Sequence, residues 1–578
     1  MLKYVQWSVS ALIILLLLVQ CSDDTVTDEA TENTDSDTTV DDNEDIDTIS
    51  DNGEDYEASE DYEWDDTVAN SITLNGTSIT TDAEGVTVEG SIATITSAGS
   101  YSISGSLSDG GIIVDTEDEE TVKLLFNGIQ ITSSSSAPIA ILNAEKTVIK
   151  LAEGTTNYLT DTTEYVYANE DDDEPDAALF SDDDLTIYGQ GQLIVQGNYN
   201  EAIKSKGELI LNNTNIELTS VDDGIQGKDY LIIKGGTYNL EVSGDGLKAS
   251  NDEDASLGYI TIETGTFTII SEADGMQAET DVLLSGGDFT ITSGGGSTAY
   301  LSEDDSAKGI KASTSVTVEE TVTLNINAAD DGLHSDATVV VNGGNITIAS
   351  GDDAIHSDDV LQINGGDIEI TTSVEGIEGA KITINEGTIS VVASDDGVNA
   401  AGDADGSIYA MTINGGFLVV NASGDGLDAN GSITMTDGVV LVNGPTANGN
   451  GALDYDTNFN ISGGLLLAVG SAIMVATPSN SSSQYSILAK LNSTQSSGTF
   501  IHIEDDEGTA LVSFSSEKSF QSIVFSSPEL EQGASYKLYL GGSYDGGNAT
   551  LGLYENGSYT PGSLYASFTV TNTVTNVN

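Results

Sequence analysis

Along the middle of the chain one short phrase recurs: an acidic residue, a glycine or alanine, a branched or long apolar residue, then a polar one. It reads Asp222-Asp223-Gly224-Ile225-Gln226, then Gly244-Asp245-Gly246-Leu247-Lys248, and Ala273-Asp274-Gly275-Met276-Gln277. Ala307-Lys308-Gly309-Ile310-Lys311, Asp330-Asp331-Gly332-Leu333-His334 and Asp352-Asp353-Ala354-Ile355-His356 continue it. Val374-Glu375-Gly376-Ile377-Glu378, Asp395-Asp396-Gly397-Val398-Asn399 and Gly424-Asp425-Gly426-Leu427-Asp428 close the series. If the phrases stack in register, Asp223, Asp245, Asp274, Asp331, Asp353, Glu375, Asp396 and Asp425 form a file of carboxylates, interrupted once by Lys308. Asp222, Asp330, Asp352 and Asp395 add a second carboxylate to some repeats. Neighbours about 4.8 Å apart repel by about 3 kcal/mol at an effective dielectric near 20. A counter-charge is therefore required. Hard oxygen ligands without cysteine favour Ca2+ over zinc or copper. The competing reading is plain turn chemistry, because Asp-Gly suits tight corners without any ion.

Three residues beyond each acidic position lies a second, outward one: Lys204, Gln226, Lys248, Gln277, Lys311, His334, His356, Glu378, Asn399 and Asp428. Two of the three histidines fall there on successive repeats, with three of the few lysines. Donors concentrated beside a carboxylate file describe a shallow polar track. Lys204, Gln226, Lys248, Gln277, Lys311, His334 and His356 are its candidate polysaccharide-binding residues. Its rung spacing is comparable with one sugar unit, and lysine with Ca2+ would offset the repulsion between a uronic-acid polymer and an acidic body.

The elements that would align these residues follow from the spacing. The phrase returns about every 22 residues, with longer steps where loops such as Asn251-Ser256 and Ser293-Asp305 are inserted. Between phrases lie short alternating strands around a Gly-Gly corner, as in Ile232-Ile233-Lys234-Gly235-Gly236-Thr237-Tyr238 and Leu361-Gln362-Ile363-Asn364-Gly365-Gly366. Each unit thus holds about three strands and three corners, which predicts an all-β fold, a right-handed parallel β-helix solenoid. Ile225, Leu247, Met276, Ile310, Leu333, Ile355, Ile377, Val398 and Leu427 are expected to fill one inward column. A propeller repeat is about twice as long, and a nonapeptide β-roll does not divide the step.

The chain has 578 residues and a formal charge of −80, with 15 basic residues, all lysine, against 95 acidic ones. Such a surface has no means of gripping nucleic-acid phosphates and attracts cations. Lys3 followed by the apolar run to Leu18 reads as a signal peptide, residues 1–20, too short for a comfortable membrane span. Cys21, the sole cysteine, excludes an intramolecular disulfide. Leu18-Val19-Gln20-Cys21 resembles a bacterial lipoprotein box, which implies lipidation of Cys21, membrane attachment through that lipid only, and an outer-membrane or cell-surface location. Residues 21–68 are acidic and poor in apolar side chains, so a disordered tether is expected. Residues 69–455 are assigned to the β-helix. Residues 456–578, which drop the acidic phrase, are assigned to terminal strands and a β cap. A monomer is expected.

Three segments carry a resemblance to a known family. Ile72-Thr73-Leu74-Asn75-Gly76 with Ile95-Thr96-Ser97-Ala98-Gly99-Ser100-Tyr101 looks like its opening, and the Asp-Gly ladder like its body. Phe525-Ser526-Ser527-Pro528-Glu529-Leu530 with Gly533-Ala534-Ser535-Tyr536 looks like its close. Over about Ser71 to Tyr539 the chain resembles the bacterial carbohydrate-binding β-helix proteins, a family similar to polysaccharide lyase family 9. The resemblance implies a right-handed β-helix, Ca2+, and binding of cellulosic or pectin-like chains. Non-catalytic binding is the first reading, with no catalytic residue assigned. Sugar stacking would then fall to tyrosines such as Tyr259, Tyr300 or Tyr409, because Trp7 and Trp64 lie in the signal and the tether. The alternative is a pectate-type lyase. Asp222, Asp223, Asp245 and Asp274 would hold the cation, and by resemblance Lys248 would be the base, its pKa well below the usual lysine value.

Overall fold

A computed structural model describes residues 57–67, 69–167, 169, 172–302, 305–402 and 408–577. The signal peptide, Cys21 and most of the expected tether lie outside the described residues. No helix among the described residues is long and apolar enough to cross a membrane.

The body is built of short parallel strands in which each strand pairs with the one about three further along. Ile225–Gly227 pairs with Leu247–Ala249, Tyr230–Ile233 with Tyr259–Ile262, and Gly236–Val242 with Thr266–Ser271. Three ladders therefore run side by side around one continuous apolar core that reaches from Ile72 to Val524. Inward residues stack on their equivalents. Ile225, Leu247, Met276, Ile310, Leu333, Ile355, Ile377, Val398 and Leu427 are all fully buried, and Tyr238, Phe267 and Phe289 form a ring stack with centroids 4.7 Å apart.

The expected fold class needs correction. The strands close as a parallel β-barrel with extra strands outside it, not as an open right-handed β-helix solenoid. The physical reason is that a repeat specifies which residues lie side by side and which face inward. Alternation and a constant step are satisfied equally by any arrangement that stacks repeats in parallel, so they do not decide how the strands close.

Strands outside the parallel ladders sit at both ends. Asn70–Gly76 pairs antiparallel with Ile79–Thr81, and Val86–Glu89 with Ile92–Ile95. At the other end Leu465–Gly470 pairs antiparallel with Phe520–Ser526. A separate six-stranded antiparallel sheet is formed by strands between Phe500 and Thr569, with its own core around Ile501, Ile503, Phe514 and Leu538. Residues 57–67, counted from the sequence as tether, include a 3-10 turn at Ser59–Tyr62. Asp61 is buried there against Lys146 at 2.7 Å.

Candidate functional site

The ladder that carries the acidic phrase sets the register of the site. Lys204 is paired with Gln226, Gln226 with Lys248, Lys248 with Gln277, Gln277 with Lys311, Lys311 with His334, and His334 with His356. Glu378, Asn399 and Asp428 extend the same column. Gly246 and Gly275 are needed because the next repeat's backbone comes too close for a side chain. A Cβ on Gly246 would meet the Gly275 carbonyl at 2.5 Å, and one on Gly275 the Gly309 carbonyl at 2.5 Å.

The acidic file has a structural task. Asp223 Oδ1 accepts the backbone N–H of Asp245 (2.7 Å), Asp245 Oδ1 that of Asp274 (3.0 Å), and Asp274 Oδ1 that of Lys308 (2.7 Å). Asp331 serves Asp353 (3.0 Å), and Asp353 serves Glu375 (3.2 Å). Asp396 serves Asp425 at 2.5 Å, and Asp425 serves Gly451. One oxygen of each of these aspartates therefore ties successive repeats together, and a bond of this charged kind contributes about 1.5–3 kcal/mol. What remains for other chemistry is the second oxygen.

In the first part of the file Asp223, Asp245, Asp331 and Asp353 turn that second oxygen to a lysine or histidine nitrogen. Lys248 Nζ lies 2.8 Å from Asp245 Oδ2 and 3.0 Å from Asp223 Oδ2. Lys308 Nζ lies 2.6 Å from Asp331 and 3.0 Å from Asp330. His334 Nδ1 is 2.8 Å from Asp331 and its Nε2 3.1 Å from Asp336. His356 repeats the arrangement with Asp353 (2.9 Å) and Asp358 (3.1 Å), and the two rings stack at 4.9 Å. Lys204 is held by Asp176 (2.6 Å) and Glu201 (3.0 Å). Burial would lower the Lys248 pKa, but the Asp245 and Asp223 carboxylates outweigh it and hold it above the usual lysine range. Burial works against His356 likewise, yet the hydrogen bond to Asp353, the charges of Asp331 and Asp353 and the hydrogen bond to Asp358 raise it to about 9.

The last part of the file lacks such partners. Carboxylate oxygens of Asp396, Asp425 and Asp428 lie within 4.8 Å of one another, with no lysine or histidine ion pair to them among the described residues. Burial, then mutual repulsion, raises Asp396 to about 7 and Asp428 to about 6. Burial and the Asp353 charge raise Glu378 to about 7. Asn399, only 7% exposed, donates to Glu375 and Glu378 while its own Oδ1 has no partner among the described residues. Oxygens on one Ca2+ at about 2.3–2.6 Å can be no more than about 5 Å apart, so this donor set fits the ion. The corner at Asp223, Asp245 and Asp274 does not fit it as well, because N–H donors and Lys248 already occupy both oxygens of Asp223 and Asp245, and Asp274 Oδ1 takes the Lys308 N–H and the Ser306 hydroxyl. Asp222 and Asp395 stand beside the file, with their backbone carbonyls accepting the Gly244 and Gly424 N–H groups. Asp352 is raised to about 6 by burial and by Asp353.

Two clefts open on the column. The first, about 540 Å³, is lined by Lys248, Gln277, Lys311, Asp245, Asp274 and the loop residues Leu301 and Ser306. The second, about 790 Å³, is lined by Asp352, His356, Glu375, Glu378 and Asn399. In the first, Lys311 has no hydrogen bond or ion pair among the described residues, and Gln277 keeps an unpartnered Oε1. Gln226 is buried and bound to Ser250. Of the three tyrosines named for stacking, Tyr259 is buried and Tyr409 is tied to the Gly402 carbonyl, whereas Tyr300 is 93% exposed.

A family model described as carbohydrate-binding domain-containing protein matches residues 89–354 and again 352–511, most of the parallel body. The chain belongs to this carbohydrate-binding family. A curated relative of the same description from Acetivibrio thermocellus is 39% identical over 135 residues, 23% of this chain and 47% of the relative. The chain thus matches about half the length of that relative. A solved structure described as a polysaccharide lyase-like protein from C. thermocellum, in a gadolinium derivative, is 30% identical. It covers 44% of this chain and 97% of that one with a TM-score of 0.40.

Reading the sequence for ligands left out Asn399, Glu378 and Asp428, which it placed in the outward column only. Asp336 and Asp358 were also missed, although the repeated His-Ser-Asp at 334–336 and 356–358 marks them. The Asn342, Asn364, Asn385 and Asn414 amide ladder, with bonds of 2.8–2.9 Å, went unread because Asn before a glycine corner looks like ordinary turn chemistry.

Proposed function

We propose that the chain binds acidic polysaccharide in the Lys248–Gln277–Lys311 cleft and holds Ca2+ at the Asp396–Asp425–Asp428 end of the column. One observation carries the glycan reading. In a chain with a formal charge of −80, Lys311 stands in a cleft with no ion pair among the described residues, so a ligand carboxylate can take that place. Gln277 beside it offers an amide to sugar hydroxyls. Ca2+ at the far end would supply the positive charge that Asp396, Asp425 and Asp428 lack, with Asn399 Oδ1 as a neutral oxygen donor. Lipid attachment through Cys21, and with it a cell-surface position, belongs to the same proposal and rests on the sequence.

Lyase chemistry is the less favoured reading. Proton abstraction needs a neutral amine, and two carboxylates hold Lys248 charged. The test is calorimetric titration of the full chain with polygalacturonate oligosaccharides, with and without chelator, beside Lys311→Ala. Saturable binding that weakens at least tenfold in the variant is expected. Equal binding by both proteins would remove the cleft from the proposal.

A further inference from the structure

A segment ahead of the first strand, Glu57 to Trp64, lies against the outside of the body and gathers lysines. Asp61, buried, meets Lys146 at 2.7 Å. Lys123 Nζ donates to the backbone carbonyls of Glu60 and Glu63, the latter at 3.2 Å. Lys234 meets Glu57, and Lys150 Nζ stands 6.0 Å from the centre of the Trp64 ring. Four of the chain's 15 lysines thus face this one segment. Tyr62 packs edge-on against Tyr188 with centroids 5.1 Å apart, and its backbone carbonyl accepts the Tyr188 hydroxyl at 3.3 Å. The partners belong to successive repeats. Lys150 pairs with Tyr188 and Tyr188 with Asn212, and the Lys234 N–H donates to the Leu211 carbonyl. The segment therefore crosses the repeats along the stacking direction, where a polymer chain would lie.

Its fit is incomplete. The Tyr62 hydroxyl is buried without a hydrogen-bond partner among the described residues. So is the hydroxyl of Thr186, whose neighbours Leu185 and Ile187 point into the core and leave Thr186 on the outer side. A buried hydroxyl without a partner is unfavourable, and a ligand with hydroxyls of its own can satisfy it. We infer that this lysine face is a second site for acidic polysaccharide, occupied in the resting chain by its own segment Glu57 to Trp64. Carboxylate and carbonyl oxygens of the segment take the lysine ammoniums as uronate oxygens would, and Tyr62 covers Tyr188 as the C–H face of a sugar ring would. Asp184, in register with Lys146, bounds the face on one side. The inference takes the class of polymer from the glycan reading above, but the site is another one. Lys150 and Tyr188 belong to the ladder that continues into Tyr230–Ile233, whereas Lys248 belongs to that of Ile225–Gly227. Residues 65–69 join the segment to the strand Asn70–Gly76, so it competes at an effective concentration of roughly millimolar. The site is closed until polymer is abundant or the segment is weakened.

The test compares full chains in a Lys311→Ala background, which silences the first cleft, by titration with polygalacturonate oligosaccharides. Adding Asp61→Ala with Tyr62→Ala removes one carboxylate from Lys146 and the ring from Tyr188. Binding at least tenfold tighter than in Lys311→Ala alone is expected, and Lys123→Ala with Lys150→Ala should remove that gain. Fully methyl-esterified oligosaccharides, which lack the carboxylate, should show no gain. The unaltered segment gives a second measurement that does not depend on the folding of the variants. In a chain carrying Trp7→Phe, Trp64 is the sole tryptophan, and oligosaccharide far above the effective concentration should displace the segment and shift its emission. No gain in affinity, a gain that survives loss of Lys123 and Lys150, an equal gain for the methyl ester, or an unchanged Trp64 emission would each overturn the inference. If Lys311→Ala alone binds as tightly as wild type, the first cleft falls, and this site is still read from the difference that the segment makes.

Discussion

The two ends of the acidic column share one backbone plan and differ in how they are neutralised. Between Asp223 and Asp353 the carboxylates of Asp223, Asp245, Asp330, Asp331 and Asp353 meet Lys248, Lys308, His334 and His356 at 2.6–3.0 Å. From Glu378 to Asp428 the corresponding outward positions are Glu378, Asn399 and Asp428, and the charge is left over. The same Asp-Gly corner is thus a closed structural device at one end and an unneutralised cluster, the proposed Ca2+ site, at the other. What differs is whether a lysine or histidine, from three places further on or from the neighbouring repeat, returns to the second carboxylate oxygen.

The largest expected effect lies at the closed end. Asp245→Ala leaves the Asp274 N–H without its acceptor and strips Lys248 of one of two carboxylates. A loss of about 3–5 kcal/mol in chemical denaturation is expected, and a loss below about 1 kcal/mol would show that the file does not hold the repeats together. Next comes the open end. Asp396→Asn with Asp428→Asn should weaken Ca2+ binding at least thirtyfold in terbium-displacement titrations. Asp222→Asn, beside the neutralised end, should leave it within twofold. Equal losses in both would erase the distinction.

A smaller effect separates the ends by pH. In chelator, Asp396 and Glu378, both raised to about 7, bind more protons folded than unfolded. Stability is therefore highest at low pH and falls as pH rises from about 4 through 7. His356, raised to about 9, contributes stability that is complete below about 6.5 and is lost as pH climbs through 9. Melting curves should show both windows. Ca2+ should abolish the first, and His356→Gln should flatten the second. A Ca2+-insensitive lower window would count against the open-end site.

Much of the site's alignment was legible in the sequence because stacking at a constant step is a property of spacing alone. Asp223, Asp245 and Asp274 could be placed in one file, and Lys248, Gln277 and Lys311 in another, from residue numbers. Which carboxylate oxygen is free could not be read that way. It depends on N–H groups such as those of Asp245 and Lys308, which nearly every residue carries and no residue type announces. Lys308 illustrates the limit. In sequence it interrupts the acidic file, while in space its ammonium neutralises Asp330 and Asp331 one repeat on.

The amino-acid sequence by itself determined the all-β character, the parallel stacking step, the inward column from Ile225 to Leu427 and the concentration of charge at one corner. All of these are set by residue type and interval. Only the tertiary structure decided that the strands close as a barrel with extra strands outside. It alone decided that, among the described residues, Lys248 is consumed by Asp223 and Asp245 while Lys311 has no ion pair, and that Asn399 Oδ1 is buried without a donor. Closure and pairing depend on distances between side chains on different repeats. A one-dimensional period gives their order and leaves those distances open.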